Sequence, residues 1–243
     1  MLKGRDREMS NPETVVLVPA FNEAPRLASV LEVILSSPLV EKTIVIDDGS
    51  HDDTAKVAAT YPVELLRFEE NRGKGAALQA GLQLAPDAAY FLFFDADLLN
   101  FRHEHIAALL NPLLEHEKIA MSVGLFRSGS KKSVNLAQQY CSILNGQRGL
   151  RRSFVEILPD LNWSRFGVEV LLSRYAALAD LEVAQPELHG ISHVTKEEKL
   201  GFLRGFDYRL QMFSECLFSL ANHKKMIRRH PGNVPPHILA KLP

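Results

Sequence analysis

The first hundred or so residues alternate two patterns: short, uninterrupted runs of β-branched and aromatic residues, and longer stretches whose apolar residues recur every three or four positions. Strands buried on both faces read as continuous apolar runs, and parallel strands need crossovers long enough for a helix. This rhythm therefore predicts an α/β fold with a mostly parallel sheet covered by helices. The predicted strands are Thr14–Val18, Thr43–Ile46, Val63–Arg67, Tyr90–Phe94 and Ile119–Leu125. The predicted helices are Ala24–Ser36, with Leu27, Val30, Leu31 and Ile34 on one face, then Asp53–Thr60, Gly75–Leu84 and His103–Leu114.

Beyond Leu125 the pattern loosens. FRSGSKKS reads as a mobile loop that could serve as a lid, and NGQRGLRR reads as a turn. Helices are expected over Val134–Leu144, Val168–Ala179 and Leu200–Met226, with a short strand over Glu182–Ala184. The length fits one core, so residues 14–228 are read as a single domain. Within it, residues 14–125 form a nucleotide-binding half, 126–199 an acceptor half and 200–228 a C-terminal helical extension. The leader 1–13, MLKGRDREMSNPE, is charged and lacks the apolar stretch of a signal peptide or anchor. The proline-rich tail over 229–243 is expected to be irregular.

With 28 Lys and Arg against 29 Asp and Glu, the chain has no overall basic field to hold nucleic acid. Cys141 and Cys216 have neither metal-ligand spacing nor the density of a disulfide framework, which points to a reducing, cytoplasmic setting. No apolar run approaches the roughly 20 residues that cross a bilayer as helix. The last helix sets Phe202, Phe206, Leu210, Phe213, Leu217 and Leu220 on one side and ends in Lys224, Lys225, Arg228 and Arg229. That stripe suits packing on the domain, a homodimer contact, or peripheral contact with the anionic inner face of a membrane.

Ligands of an open parallel sheet bind beyond the carboxyl ends of its strands, and here those ends are acidic. The first strand runs into Pro19-Ala20-Phe21-Asn22-Glu23, the second into Asp47-Asp48-Gly49-Ser50 and the fourth into Asp95-Ala96-Asp97. Converging carboxylates repel unless a cation or hydrogen-bond donors sit among them. Alternate residues leaving a strand point the same way, so Asp95 and Asp97 can serve one site, and Mg2+ or Mn2+ bridging a diphosphate suits it. No Gly-rich phosphate loop follows the first strand. Asn71-Arg72-Gly73-Lys74-Gly75 brings two glycines and two cations to the start of the third helix. Each motif also has a plainer reading: Asp48 and Ser50 as a helix-capping turn, Arg72 and Lys74 as a solvated helix entrance, and Glu169 as an ion-pair partner of Arg165 or Arg174.

VVLVPAFNEA, IVIDDGSHDDT, NRGKGAALQAGL and FLFFDADL, in this order and spacing, resemble family 2 glycosyltransferases of GT-A fold, over roughly Thr14–Leu98. The resemblance implies a nucleotide-diphosphate sugar, carrying UDP or GDP, over these strand ends. Pro19, Ala20, Asn22, Glu23 and Asp48 would hold base and ribose, Lys74 the base edge or neighbouring groups, and Asp95, Ala96 and Asp97 the ribose and metal. NGQRGLRR, FGVEVLL and the later GxxH segment resemble the glucosyl-3-phosphoglycerate synthases among these enzymes, with a departure at Gln147. That likeness places His193 beside Asp97 on a divalent cation, Mg2+ or Mn2+, and Gly146, Arg148 and Arg151 at the acceptor.

Glu169 would accept the acceptor's proton if the anomeric carbon inverts, or orient the sugar if it is retained. The cation would offset charge on the departing diphosphate. The acceptor class implied is a phosphorylated small molecule or a lipid phosphate. Two competing readings share the architecture. A sugar-nucleotide pyrophosphorylase should carry a Gly-rich basic loop in place of PAFNE, and an inactive nucleotide-sugar-binding protein would lose the acidic constellation.

Overall fold

A computed structural model describes residues 13–127, 143, 145–193 and 202–242. In chain order its first half contains β1 (Thr14–Ala20), α1 (Ala24–Leu35), β2 (Lys42–Asp47), α2 (Thr54–Ala58), β3 (Glu64–Arg67) and α3 (Lys74–Gln83). Next come β4 (Tyr90–Phe93), β5 (Leu98–Leu99), α4 (His103–Glu115), β6 (Ile119–Val123), β7 (Leu125–Arg127), β8 (Arg148–Arg151) and α5 (Arg152–Val155). A 3-10 turn over Arg165–Gly167 leads into α6 (Val168–Leu178), followed by β9 (Glu182–Ala184), β10 (Glu187–His189), β11 (Ser192–His193), α7 (Phe202–Arg229) and α8 (Pro236–Leu239).

Seven strands form one sheet in the order β3-β2-β1-β4-β8-β6-β9. Neighbours are parallel except β8, which runs antiparallel to both β4 and β6. The mixed, mostly parallel sheet flanked by helices is the one expected. Its two faces follow from strand periodicity. Val15 and Leu17 of β1 pack into a layer with α3 and α6, while Val16 and Val18 pack into the opposite layer with α1 and α4. Two small ladders stand apart from the main sheet, β7 with β10 and β5 with β11.

Three expectations are corrected. The predicted turn NGQRGLRR contains β8, a strand inside the sheet. A strand flanked by arginines is stable there because both guanidiniums find acceptors, and because Gly149 admits a neighbour: a Cβ on it would meet Ser122 Oγ at 2.5 Å. The predicted strand Ile119–Leu125 divides, since β6 stays in the main sheet and β7 pairs with β10. The tail is not irregular throughout. Val234, Ile238 and Leu242 are buried with α3 and α6, and Pro235 and Pro236 open the short helix α8.

The predicted leader falls almost wholly outside the described residues, as do the predicted Val134–Leu144 helix, apart from Ile143, and most of the FRSGSKKS loop. Among the described residues no helix is long and apolar enough to cross a membrane.

Candidate active site

The carboxyl ends of β1, β2 and β4 lie side by side, because β1 pairs parallel with both neighbours. The acidic segments after these strands therefore share one rim. Asp48 N donates to Ala20 O at 2.8 Å, which ties the second strand end to the first. Asn22 adopts a left-handed backbone with φ 56°. Its amide donates to Ser50 Oγ at 2.9 Å and its Oδ1 accepts from His51 N at 2.9 Å. Asn22, predicted as a nucleotide contact, thus braces the loop that presents Glu23, which is buried with its amide on Thr54 Oγ1. Asp47 is fully buried, accepting from Ser50 N at 3.0 Å with Arg67 Nε 3.2 Å away.

Asp48 organises the NRGKG segment. Its carboxylate accepts from Arg72 N at 2.7 Å, Gly73 N at 2.8 Å and Asn71 Nδ2 at 3.0 Å. Burial pushes its carboxyl above the usual aspartate range, opposed by the hydrogen bonds from Arg72 and Gly73. The glycines are needed for close approach. Gly73 has φ 94°, and a Cβ on Gly75 would lie 2.2 Å from Ser164 Oγ and 2.4 Å from Leu161 O. Arg72 is exposed over the Phe68 ring, so the plainer reading holds for it.

Lys74 turns inward. Its Nζ lies 2.5 Å from Asp95 Oδ1 and 2.6 Å from Glu169 Oε1, with the lysine side chain 13% exposed. Burial works against the ammonium, but Asp95 and Glu169 outweigh it and hold its pKa well above the ordinary lysine value. Gln147 Nε2 donates to the other Asp95 oxygen at 2.8 Å. Gly146 closes this cluster: a Cβ there would sit 2.5 Å from Lys74 Nζ and 2.7 Å from Asp95 Oδ2.

The predicted sugar-side and acceptor-side residues fare differently. Glu169, in the first turn of α6, reaches the cluster through Lys74 rather than pairing with Arg165 or Arg174. Arg148 is wholly buried, and its guanidinium donates to Asn145 O at 2.9 Å, Ile143 O at 3.0 Å and Ser173 Oγ at 2.9 Å. Burial lowers its pKa to about 10, against the pull of nearby Glu169. Arg148 is thus an internal cation behind Glu169. Arg151 is corrected. It pairs in register with Tyr90, at the opposite end of β4 from Asp95, and donates to the carbonyls of Ile119, Leu113 and His116. A guanidinium spent on three backbone carbonyls at that end cannot read an acceptor at the acidic rim.

Asp97 is buried at the rim beside Ala96. His193 pairs through its backbone with Leu98, the residue after Asp97. The β5–β11 ladder therefore brings together the two segments predicted to hold the cation. Asp97 offers a buried carboxylate at the rim, an oxygen donor of the kind Mg2+ and Mn2+ take. Among the described residues no group of three or more His, Cys, Asp or Glu is arranged to hold a metal.

The family model described as glycosyl transferase family 2 matches residues 15–168. The chain belongs to glycosyl transferase family 2. It is similar to dolichyl-phosphate beta-glucosyltransferase of Dictyostelium discoideum, 39% identical over 99 residues that cover 34% of this chain and 30% of that protein. It is also similar to 4,4'-diaponeurosporenoate glycosyltransferase of Staphylococcus aureus, 29% identical over 128 residues covering 50% of this chain and 34% of the relative. These matches span about a third of the curated relatives' length. Among solved structures, glucosyl-3-phosphoglycerate synthase of Mycobacterium tuberculosis in complex with Mn2+, UDP-glucose and phosphoglyceric acid superposes with a TM-score of 0.69 at 25% identity, covering 87% of this chain and 79% of the synthase. The GT-A architecture expected of a family 2 chain is the one observed.

In this family 2 chain, sequence reasoning missed three contributors. Gln147 braces Asp95. Arg165 adopts φ 45° and donates to Asn71 Oδ1 at 3.1 Å, with Glu215 Oε1 3.3 Å from its Nε. Glu215 of α7 also accepts from Phe166 N at 3.2 Å. Gln147 was marked in the sequence only as a departure after Gly146, and Arg165 only as a possible partner of Glu169. Glu215 gave no signal, because its contacts act across the tertiary fold.

Proposed function

We propose that the chain transfers a sugar from a nucleotide-diphosphate donor, UDP-glucose before GDP-sugars, to a phosphate-bearing acceptor. The observation that carries this reading is the convergence of Asp48, Lys74, Asp95, Asp97 and Glu169 along one strand-end rim. In it Pro19, Ala20, Glu23 and Asp48 flank the nucleoside, while Ala96 and the Lys74–Asp95 pair lie beneath the ribose and diphosphate. Glu169 is fixed by Lys74, and a pinned carboxylate is suited to accept hydrogen bonds from the hydroxyls of the transferred sugar. Asp97 and His193 would hold a divalent cation, which supplies positive charge beside a departing diphosphate. The family 2 match, and relatives named for glucosyl transfer to dolichyl phosphate and for complexes with UDP-glucose and phosphoglyceric acid, support this assignment.

The test is a thermal-melt panel of UDP- and GDP-sugars with and without Mn2+, followed by assay for released nucleoside diphosphate with phosphoglycerate or a polyprenyl phosphate. A metal-dependent rise in melting temperature with UDP-glucose is expected, because a ligand bound by the native state alone stabilises it. Asp97→Ala should remove that rise. No shift with any nucleotide sugar would overturn donor binding. A shift with neither transfer nor hydrolysis would favour the inactive binding protein, and pyrophosphate-dependent cleavage of the donor would favour a pyrophosphorylase.

A further inference from the structure

We propose that the outward face of α7 is a docking surface for an anionic lipid bilayer. The inward face of this helix is occupied. Ser219 is buried, filling the space above Gly167, where a Cβ would meet Ser219 Oγ at 1.8 Å, and Ile227 lies in the core. On the opposite side, large apolar side chains among the described residues face solvent. Leu217 is 64% exposed, Phe218 52% and Leu220 38%, and Lys224, Lys225 and Arg229 continue the same side at helical spacing. Apolar and basic segments together extend over roughly 18 Å of helix at 1.5 Å per residue.

The occupant follows from charge. The whole chain is nearly neutral, yet no Asp or Glu occurs after Glu215, whereas Lys224, Lys225, Arg228, Arg229 and Lys241 all lie there. Lys224, Lys225 and Arg229 make no ion pair among the described residues. A second copy fits this face poorly. Two identical helices packed in parallel would set cation against cation, and an antiparallel pair crossing at Leu217 and Phe218 would bury these few apolar side chains but leave the basic segment with no opposite charge. Nucleic acid would leave the exposed Leu217 and Phe218 without apolar partners. A membrane whose anionic headgroups overlie apolar chains satisfies both halves at once. The inner side of α7 is joined to the Arg165–Gly167 turn through Glu215, so the bilayer would lie about one helix diameter, roughly 10 Å, from the turn that leads into Glu169. This inference is independent of which sugar or acceptor the rim takes.

The test is co-sedimentation of the full chain with phosphatidylcholine vesicles, with and without phosphatidylglycerol. Binding to the anionic vesicles alone, weakened by salt, is expected. At about 1 kcal/mol per basic side chain near an anionic surface, Lys224→Ala with Lys225→Ala should lower the partition coefficient roughly 25-fold. Leu217→Ser with Phe218→Ser should also release the protein. Neither pair touches the buried face, so unchanged melting temperatures and donor binding report intact folding. The proposal is overturned by equal binding to both vesicle types, by no binding, or by binding that both double variants retain. It is also overturned if Leu217→Ser with Phe218→Ser instead dissolves a dimer, or if only nucleic acid binds.

Discussion

Nζ of Lys74 lies 2.6 Å from Oε1 of Glu169, joining the first residue of α3 to the first turn of α6. Because the same ammonium holds Asp95 at 2.5 Å, one cation fixes the distance between the carboxylates of Asp95 and Glu169. Two carboxylates held this close repel without it, so Lys74 serves both stability and geometry.

Lys74→Met should therefore destabilise the fold by about 3 kcal/mol, since removing one partner of a buried ion pair leaves uncompensated charge. For a chain of this length that is a drop in melting temperature of roughly 10 °C. Scanning calorimetry of the variant checks it. A change below about 1 kcal/mol would mean the cluster is solvated and weak.

The same bridge sets an alkaline limit. A lysine whose folded pKa is raised contributes stability that is complete below the unfolded value, about 10.4, and lost as pH climbs through the higher folded value. The stability gap between the wild type and Lys74→Met should thus stay constant from neutrality to about pH 10 and narrow above it. Urea titrations of both proteins across that range measure the gap. A gap that narrows between about pH 7 and pH 9 would contradict the assignment.

Gly146→Ala should reduce turnover more than stability. The added Cβ meets Lys74 Nζ and Asp95 Oδ2 below contact distance, so the flexible lysine must yield and the paired carboxylates shift. A displacement of about 1 Å at a reacting centre can cost about 100-fold in rate. Steady-state kinetics should show that loss with a cooperative melt preserved.

The two arginines of β8 should separate cleanly. Arg151→Met removes donors from three backbone carbonyls, costing about 1–3 kcal/mol of stability, and leaves the acceptor KM unchanged. Arg148→Met removes the internal cation behind Glu169 and should lower both stability and turnover. A raised acceptor KM in Arg151→Met alone would restore Arg151 to the acceptor site.

The strands β1 to β4, the helices between them and the acidic rim were legible in the chain itself. Apolar runs without polar interruption, period-3.6 faces and carboxylates placed just after strands are local patterns, and a parallel sheet turns them into one shared edge. The small β5–β11 ladder, which sets the backbone of His193 opposite Leu98, was not predicted.

What the tertiary structure alone decided was where long polar side chains end. Nothing in RGLR distinguishes Arg148, drawn inward behind Glu169, from Arg151, spent on carbonyls at the far end of the strand. The antiparallel entry of β8 between β4 and β6 sends them to opposite ends. Likewise the proline-rich tail reads as irregular until Val234, Ile238 and Leu242 join the core with α3 and α6. Burial and ion pairing at such positions depend on partners far away in the chain, and local sequence carries no record of which partner arrives.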